Sequence, residues 1–180
     1  MHTEFEAKIV KIDKTIIRNK LKELGAKLVF SETKFKRMIF SNSSLKLQNS
    51  WIRLRQGAGK TTLTIKKFNE SSNIESLEEE EITVQDFNQT HSFLKKVGFV
   101  KVNYMENLRE EWKINNVIFD IDTWPKIDPL LEIESDSEDS VRMYVEKLGF
   151  EYQKAVFGPI SVVYEKIYKY NFQDLTNLII

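Results

Sequence analysis

A chain of 180 residues carries 27 basic and 27 acidic side chains, so its formal net charge at pH 7 is zero. The length suits one domain with a substantial core, and the charge balance argues against a nucleic-acid binder driven by bulk charge, while segregated local fields stay open. Cysteine is absent and there are two histidines, which rules out disulfides and thiolate metal sites and disfavours a histidine-rich zinc site.

The predicted elements begin with a strand over 3–10. Its alternation sets Glu4, Glu6 and Lys8 on one face and Phe5, Ala7 and Ile9 on the other. These charges also interrupt any N-terminal apolar signal region. No apolar run approaches the roughly 20 residues of a membrane span, so a cytoplasmic location is the expectation. A helix follows from Asp13, a plausible N-cap, to Gly25, with Ile17, Leu21 and Leu24 at helical spacing. Strands are expected over 28–40 and 50–56, the second placing Arg53 and Arg55 on one face and Ile52 and Leu54 on the other. Gly57-Ala58-Gly59-Lys60-Thr61 resembles the end of a phosphate-binding loop, but Leu54 stands where that motif needs its first glycine. It reads instead as a hairpin turn into a strand over 61–68 that carries Lys66 opposite Leu63 and Ile65.

Residues 69–76 read as a polar loop without pattern. The acid run Glu78-Glu79-Glu80-Glu81 reads as a solvated strand start into 79–85, with Glu81 facing a site because Ile82 and Val84 occupy the other face. A second helix runs from Asp86 to Gly98 around Leu94 and Val97; His91 within it reads as a surface residue. Strands over 101–114 and 117–123 meet at Asn115-Asn116, a tight turn. Trp112 and Trp124 read as packing residues, and Trp124 is also placed to edge a base pocket. Asp120 and Asp122 alternate with Phe119 and Ile121. Pro125 and Pro129 bracket a bend before the strand 129–134, where Glu132 and Glu134 alternate with Leu131 and Ile133. A third helix from Asp136-Ser137 to Gly149 carries Val141, Tyr144 and Leu148. Residues 152–180 read as a short helix and a tail. No Pro/Gly linker divides the chain, so one domain over 1–180 is expected, α+β in class with a largely antiparallel sheet.

Each apolar strand face needs cover, which the helices can supply. The charged faces then form either the solvated side of an open sheet or the polar interior of a closed one, and periodicity leaves both open. Residue type says more. Arg53, Arg55, Lys66 and Arg109 are groups that grip phosphate oxygens. Carboxylates at i and i+2 on a strand, as in Glu132 and Glu134, suit a hard cation such as Mg²⁺ or Mn²⁺. One such pair is an ordinary salt-bridge pattern; together they point to a metal-bound polyphosphate.

The ordered set Glu4-x-Glu6-x-Lys8, Arg53-x-Arg55, Lys66 in Leu-Thr-Ile-Lys, Arg109, Asp122 and Glu132-Ile133-Glu134 resembles the CYTH superfamily, the triphosphate tunnel metalloenzymes, over nearly the whole chain. The stretch Ile121-Asp122-Thr123-Trp124-Pro125 is similar to members described as class IV adenylyl cyclase-like. The resemblance implies a closed or nearly closed antiparallel eight-stranded β-barrel with helices packed outside. It implies that Lys8, Arg53, Arg55, Lys66 and Arg109 hold phosphates, that Glu4, Glu6, Glu132 and Glu134 hold Mg²⁺ or Mn²⁺, and that Asp120, Asp122 and Glu81 are further ligands or water-orienting groups, with Glu4, Glu6 and Asp122 nearest the chemistry. A triphosphate-bearing small molecule is the expected partner: ATP, thiamine triphosphate or tripolyphosphate, with no nucleic acid or membrane and a homodimer left open. Hydrolysis is favoured over cyclisation to cyclic AMP because a His-Phe pair that often marks the cyclases is missing near the N-terminus; an inactive binding module is the remaining alternative. One departure is Asn107, where family members often carry lysine, and a C-terminal family lysine corresponds to Lys154 or Lys166.

Overall fold

The computed structural model describes residues 2–68 and 77–180, with side chains described from residue 5 and, in the second segment, from residue 78. The expected polar loop over 69–76 and the Glu4 side chain lie outside the described residues.

Eight antiparallel strands form the body: β1 (His2–Val10), β2 (Lys27–Ser41), β3 (Ser50–Gly57), β4 (Lys60–Phe68), β5 (Leu77–Thr83), β6 (Val100–Ile114), β7 (Val117–Thr123) and β8 (Leu130–Ser135). Their order is β2-β3-β4-β5-β1-β8-β7-β6, and β6 pairs back onto β2, so the curled sheet returns to its first strand. Closure of this kind leaves each strand partnered on both sides and removes the exposed edge that an open sheet would present. The seam is long and irregular, with register shifts between Leu28 and Phe30, Phe30 and Thr33, and Ile39 and Phe40. Irregularities of this type increase local bend and twist, as a tightly curled sheet requires.

Four helices precede the C-terminal segment: α1 (Lys14–Glu23), α2 (Ser43–Leu47), α3 (Phe87–Lys96) and α4 (Glu138–Lys147). The three long ones start at the expected caps. Asp13 accepts from the Thr15 and Ile16 amides, Asp86 from that of Gln89 and Ser137 from that of Ser140. They stop where expected, at Gly25, Gly98 and Gly149, with φ of +83°, +92° and +84°. The five-residue α2, capped by Asn42, was not foreseen, because so short a helix completes too few turns to show a period.

The apolar strand faces point outward and the helices cover them. Ile17 and Leu21 of α1, with Val141, Tyr144 and Val145 of α4 and its C-cap Leu148, join Ala7, Ile9, Phe119, Ile121, Leu131 and Ile133 in one core. Phe87 and Leu94 of α3 pack with Phe40 and Leu54 in another. Each such side chain contributes about 1.5–3 kcal/mol of burial. The barrel is therefore held from outside, and its interior is left free for charge.

The C-terminal segment holds more structure than a short helix and tail. Short α5 (Ile160–Val162) runs on into a π-helical turn over Val163–Ile167, and β9 (Asn177–Leu178) adds in parallel to β6 beside Tyr104 and Met105. Val163, Tyr164 and Leu178 form a third core with Met105, Trp124 and Leu130 at one mouth of the barrel. Among the described residues no helix is long and apolar enough to cross a membrane.

Candidate active site in the barrel interior

Strand register assembles the interior. Across β1–β8, Glu6 faces Glu134 and Lys8 faces Glu132. Across β7–β8, Asp120 faces Glu132, and across β6–β7, Arg109 faces Asp122. On the other wall Arg37 faces Arg55, Arg53 faces Thr64, Trp51 faces Lys66, and Lys66 faces Glu79. Opposite residues in an antiparallel pair share a face, so each wall is an ordered grid of charges.

A cavity of about 600 Å³ takes in Glu6, Lys8, Arg37, Arg53, Lys66, Arg109 and Glu132. Its lining also includes the apolar side chains of Trp51, Trp124, Ile160 and Phe172. A second cavity of about 480 Å³, with Arg55, Thr62 and Glu81 among its walls, also borders Arg109. The charged interior is thus reached from two sides, with Arg109 common to both.

Glu6, Glu132 and Glu134 can bring one carboxylate oxygen each within 4.8 Å of one another. Three acids this close repel, and the effects differ by residue. Burial, then Glu132 and Glu6, push the Glu134 carboxyl up to about 7. Burial also raises Glu6, against the pull of Lys8. Burial opposes the charge on Glu132 too, but Lys8, Arg109 and Lys66 outweigh it and hold this carboxyl well below the usual range. Two carboxylates driven toward neutrality beside one held ionised form an oxygen-rich set that a hard divalent cation would stabilise. The residues fit such an ion. Asp120 and Glu81 lie outside this group: Asp120 pairs with Arg109, and Glu81 accepts from Thr64 Oγ1 at 2.7 Å.

The cations divide into paired and crowded. Lys66 lies 2.7 Å from Glu79. Arg53 and Arg55 share Glu81, at 3.2 and 3.5 Å. Arg55 is brought down to about 10, first by Arg53, then by burial and Arg109. Arg109 is fully committed: its Nη2 lies 2.6 Å from Asp122 and 3.4 Å from Glu132, and its Nε donates to Asp122 at 2.8 Å. Asp122 also accepts from Asn107 Nδ2 at 2.9 Å and Trp124 Nε1 at 3.3 Å. With both oxygens engaged, Asp122 fixes the Arg109 fork. Asn107, at the position of the expected lysine, further accepts from Arg37. Neither C-terminal lysine borders the cavities; Lys154 pairs with Glu151 on the surface, and Lys166 is exposed.

Arg37 and Glu79 escaped the sequence reading. Glu79 sits two residues before Glu81 on a strand, and that spacing was its signal. Arg37 lies between Lys36 and Met38, so its strand alternates poorly. Its signal was a shared face with Phe35 and Ile39, on which a cation stands out.

The CYTH domain model matches residues 2–159. The chain belongs to the CYTH domain family. No curated protein matches the chain. Among solved structures, this CYTH protein is similar to the PH1012 protein of Pyrococcus horikoshii OT3, with 24% identity and a TM-score of 0.71 over 84% of this chain and 93% of that one. A candidate adenylate cyclase from Vibrio parahaemolyticus superposes with a TM-score of 0.76 at 12% identity, over 88% of this chain and 95% of that one. HpAC1 from Hippeastrum, a candidate adenylyl cyclase described as having a dominant triphosphatase activity, gives 0.60 at 14% identity over 88% and 91%. At these identities the likeness is one of fold.

Proposed function

We propose that this CYTH protein is a metal-dependent triphosphatase acting on a small molecule. The observation that carries the reading is the juxtaposition, in one cavity, of the Glu6 and Glu132 carboxylates with Lys8, Arg53, Lys66 and Arg109, and the convergence of Glu134 on the same two acids. Mg²⁺ or Mn²⁺ on the three glutamates would supply charge neutralisation at phosphate oxygens and a more acidic water. Arg53, Arg55 and Lys66 bind the phosphate chain, trading their bonds to Glu79 and Glu81 for bonds to substrate. Arg109, locked by Asp122, is a fixed group of the cavity wall that needs no rearrangement as the reaction proceeds. Water attacks the terminal phosphorus, the bond to the bridging oxygen breaks, and orthophosphate and the diphosphate leave with one proton released. Lys8 balances the acids when no ion is bound.

The apolar side chains of Trp51, Trp124, Ile160 and Phe172 in the same cavity favour a substrate with an organic group, and they keep adenylyl cyclisation of ATP as the second reading. Incubation with ATP, thiamine triphosphate and tripolyphosphate, each with Mg²⁺ or Mn²⁺, separates the readings. Orthophosphate release supports the triphosphatase. Cyclic AMP with pyrophosphate supports the cyclase. Tight binding without turnover leaves a polyphosphate-binding module.

A further inference from the structure

Arg37 is buried, at 5% exposure, on the inner face of β2. A buried cation ordinarily has a carboxylate partner. Among the described residues Arg37 has none within salt-bridge distance. One Nη donates to the neutral side chain of Asn107, and the guanidinium lies 4.5 Å from the Trp124 ring centroid. Its Nε is buried without a hydrogen-bond acceptor. Burial and then three further arginines, Arg109, Arg53 and Arg55, all disfavour its charge, and Asp122 offsets only part of this. Arginine stays protonated even so. Arg37 also borders the same cavity as Arg53, Lys66 and Arg109.

A side chain in this position weakens the empty protein. The Trp124 face and Asn107 orient the guanidinium, yet one donor edge remains unsatisfied beside three like charges. An anion in the cavity would relieve both costs. We propose that Arg37 is a further phosphate-binding residue of the tunnel, its unpaired Nε edge taking an oxygen of the phosphate chain beside Arg53 and Arg109. The inference rests on the triphosphate reading of the cavity and adds a group from a strand to which that reading assigned none. Planar guanidinium and phosphate match in geometry.

Calorimetric titration of the metal-free protein with tripolyphosphate tests binding apart from turnover. Arg37→Gln should bind at least tenfold more weakly than the parent while its ligand-free melting temperature stays level or rises, because a repelled buried charge has been removed. Arg37→Gln binding as tightly as the parent, with a lowered melting temperature, would make Arg37 a structural brace and overturn the inference. Arg55→Ala is the control for the cavity itself: its weakened binding beside an unaffected Arg37→Gln would reject Arg37 alone. A parent that binds no tripolyphosphate would reject the triphosphate reading and this inference with it. Should Arg37→Gln not fold, the parent's Arg37 Nε–H resonance, assigned by its loss in Arg37→Lys, should shift on adding tripolyphosphate; an unmoved resonance overturns the proposal.

Discussion

Lys8 Nζ lies 3.3 Å from the Glu132 carboxylate, with the two side chains only 3% and 12% exposed. The same nitrogen pairs with Glu6 and donates to the Gly158 carbonyl at 2.8 Å. One cation thus balances two acids of the candidate metal group and ties β1 to the segment leading into the C-terminal mouth. Lys8→Met should cost roughly 3–5 kcal/mol in the metal-free protein, the scale for stripping one partner from a buried ion pair. Mn²⁺ should restore part of that loss by replacing the missing positive charge. Urea denaturation with EDTA and with Mn²⁺ measures both, and equal losses in the two conditions would separate Lys8 from the metal group.

Glu134→Gln removes a ligand charge and keeps volume. Metal-dependent turnover should fall by two orders of magnitude or more, on the order of 3 kcal/mol of barrier, while the metal-free fold is as stable as the parent or more so. Parent-like turnover at saturating Mg²⁺ or Mn²⁺ would remove Glu134 from the site.

The raised Glu134 carboxyl sets a pH dependence. Its ordinary value is 4.5 and its folded value about 7. Between these the native state holds a proton that the unfolded chain releases, so stability falls as pH rises through this window. Glu6, also raised, adds in the same direction. Glu132, lowered, acts with the opposite sign but below its ordinary value of 4.5. Metal-free protein should therefore lose stability from about pH 5 to about pH 7. Saturating Mn²⁺ should flatten or reverse the trend, because it binds the ionised carboxylates. Denaturation midpoints across this range, with and without the ion, decide it.

Arg55→Ala should weaken triphosphate binding by about 1.5–3 kcal/mol, the range for a hydrogen bond to a charged group, or roughly 10- to 150-fold. Equilibrium titration reads it directly, and parent-like affinity would end the assignment of Arg55 to the phosphates.

The hairpin between β3 and β4 turns on Ala58 and Gly59, with φ of +46° and +74°. Alanine carries a steric penalty in that left-handed region, whereas asparagine tolerates it. Ala58→Asn should raise stability by about 1 kcal/mol, seen as a higher urea midpoint with an unchanged slope.

Much of this was legible in local pattern. The helix caps, the glycine stops, the two-residue turn at Asn115-Asn116 and the rejection of a phosphate loop at Gly57-Ala58-Gly59 all rest on neighbours along the chain, where backbone conformation and alternation are decided. The eight strands, and the division of each into an apolar and a charged face, followed from the same period of two, which left open whether the charged faces would line a closed interior. The resemblance in Glu4-x-Glu6-x-Lys8, Arg53-x-Arg55 and Glu132-x-Glu134 supplied the barrel, and the β2–β6 pairing realises it. Which charge meets which could not be read so. Glu6, Glu132 and Glu134 converge because β1 and β8 are neighbours in a particular register, and a shift of one residue would turn each to the helices. Arg109 is held by Asp122, and Arg37 lacks a carboxylate, for a reason of the same kind. Sequence determined the types of charge and the face each occupies; tertiary structure alone decided their partners, because Coulomb energy and desolvation depend on distances between strands that the chain order does not contain.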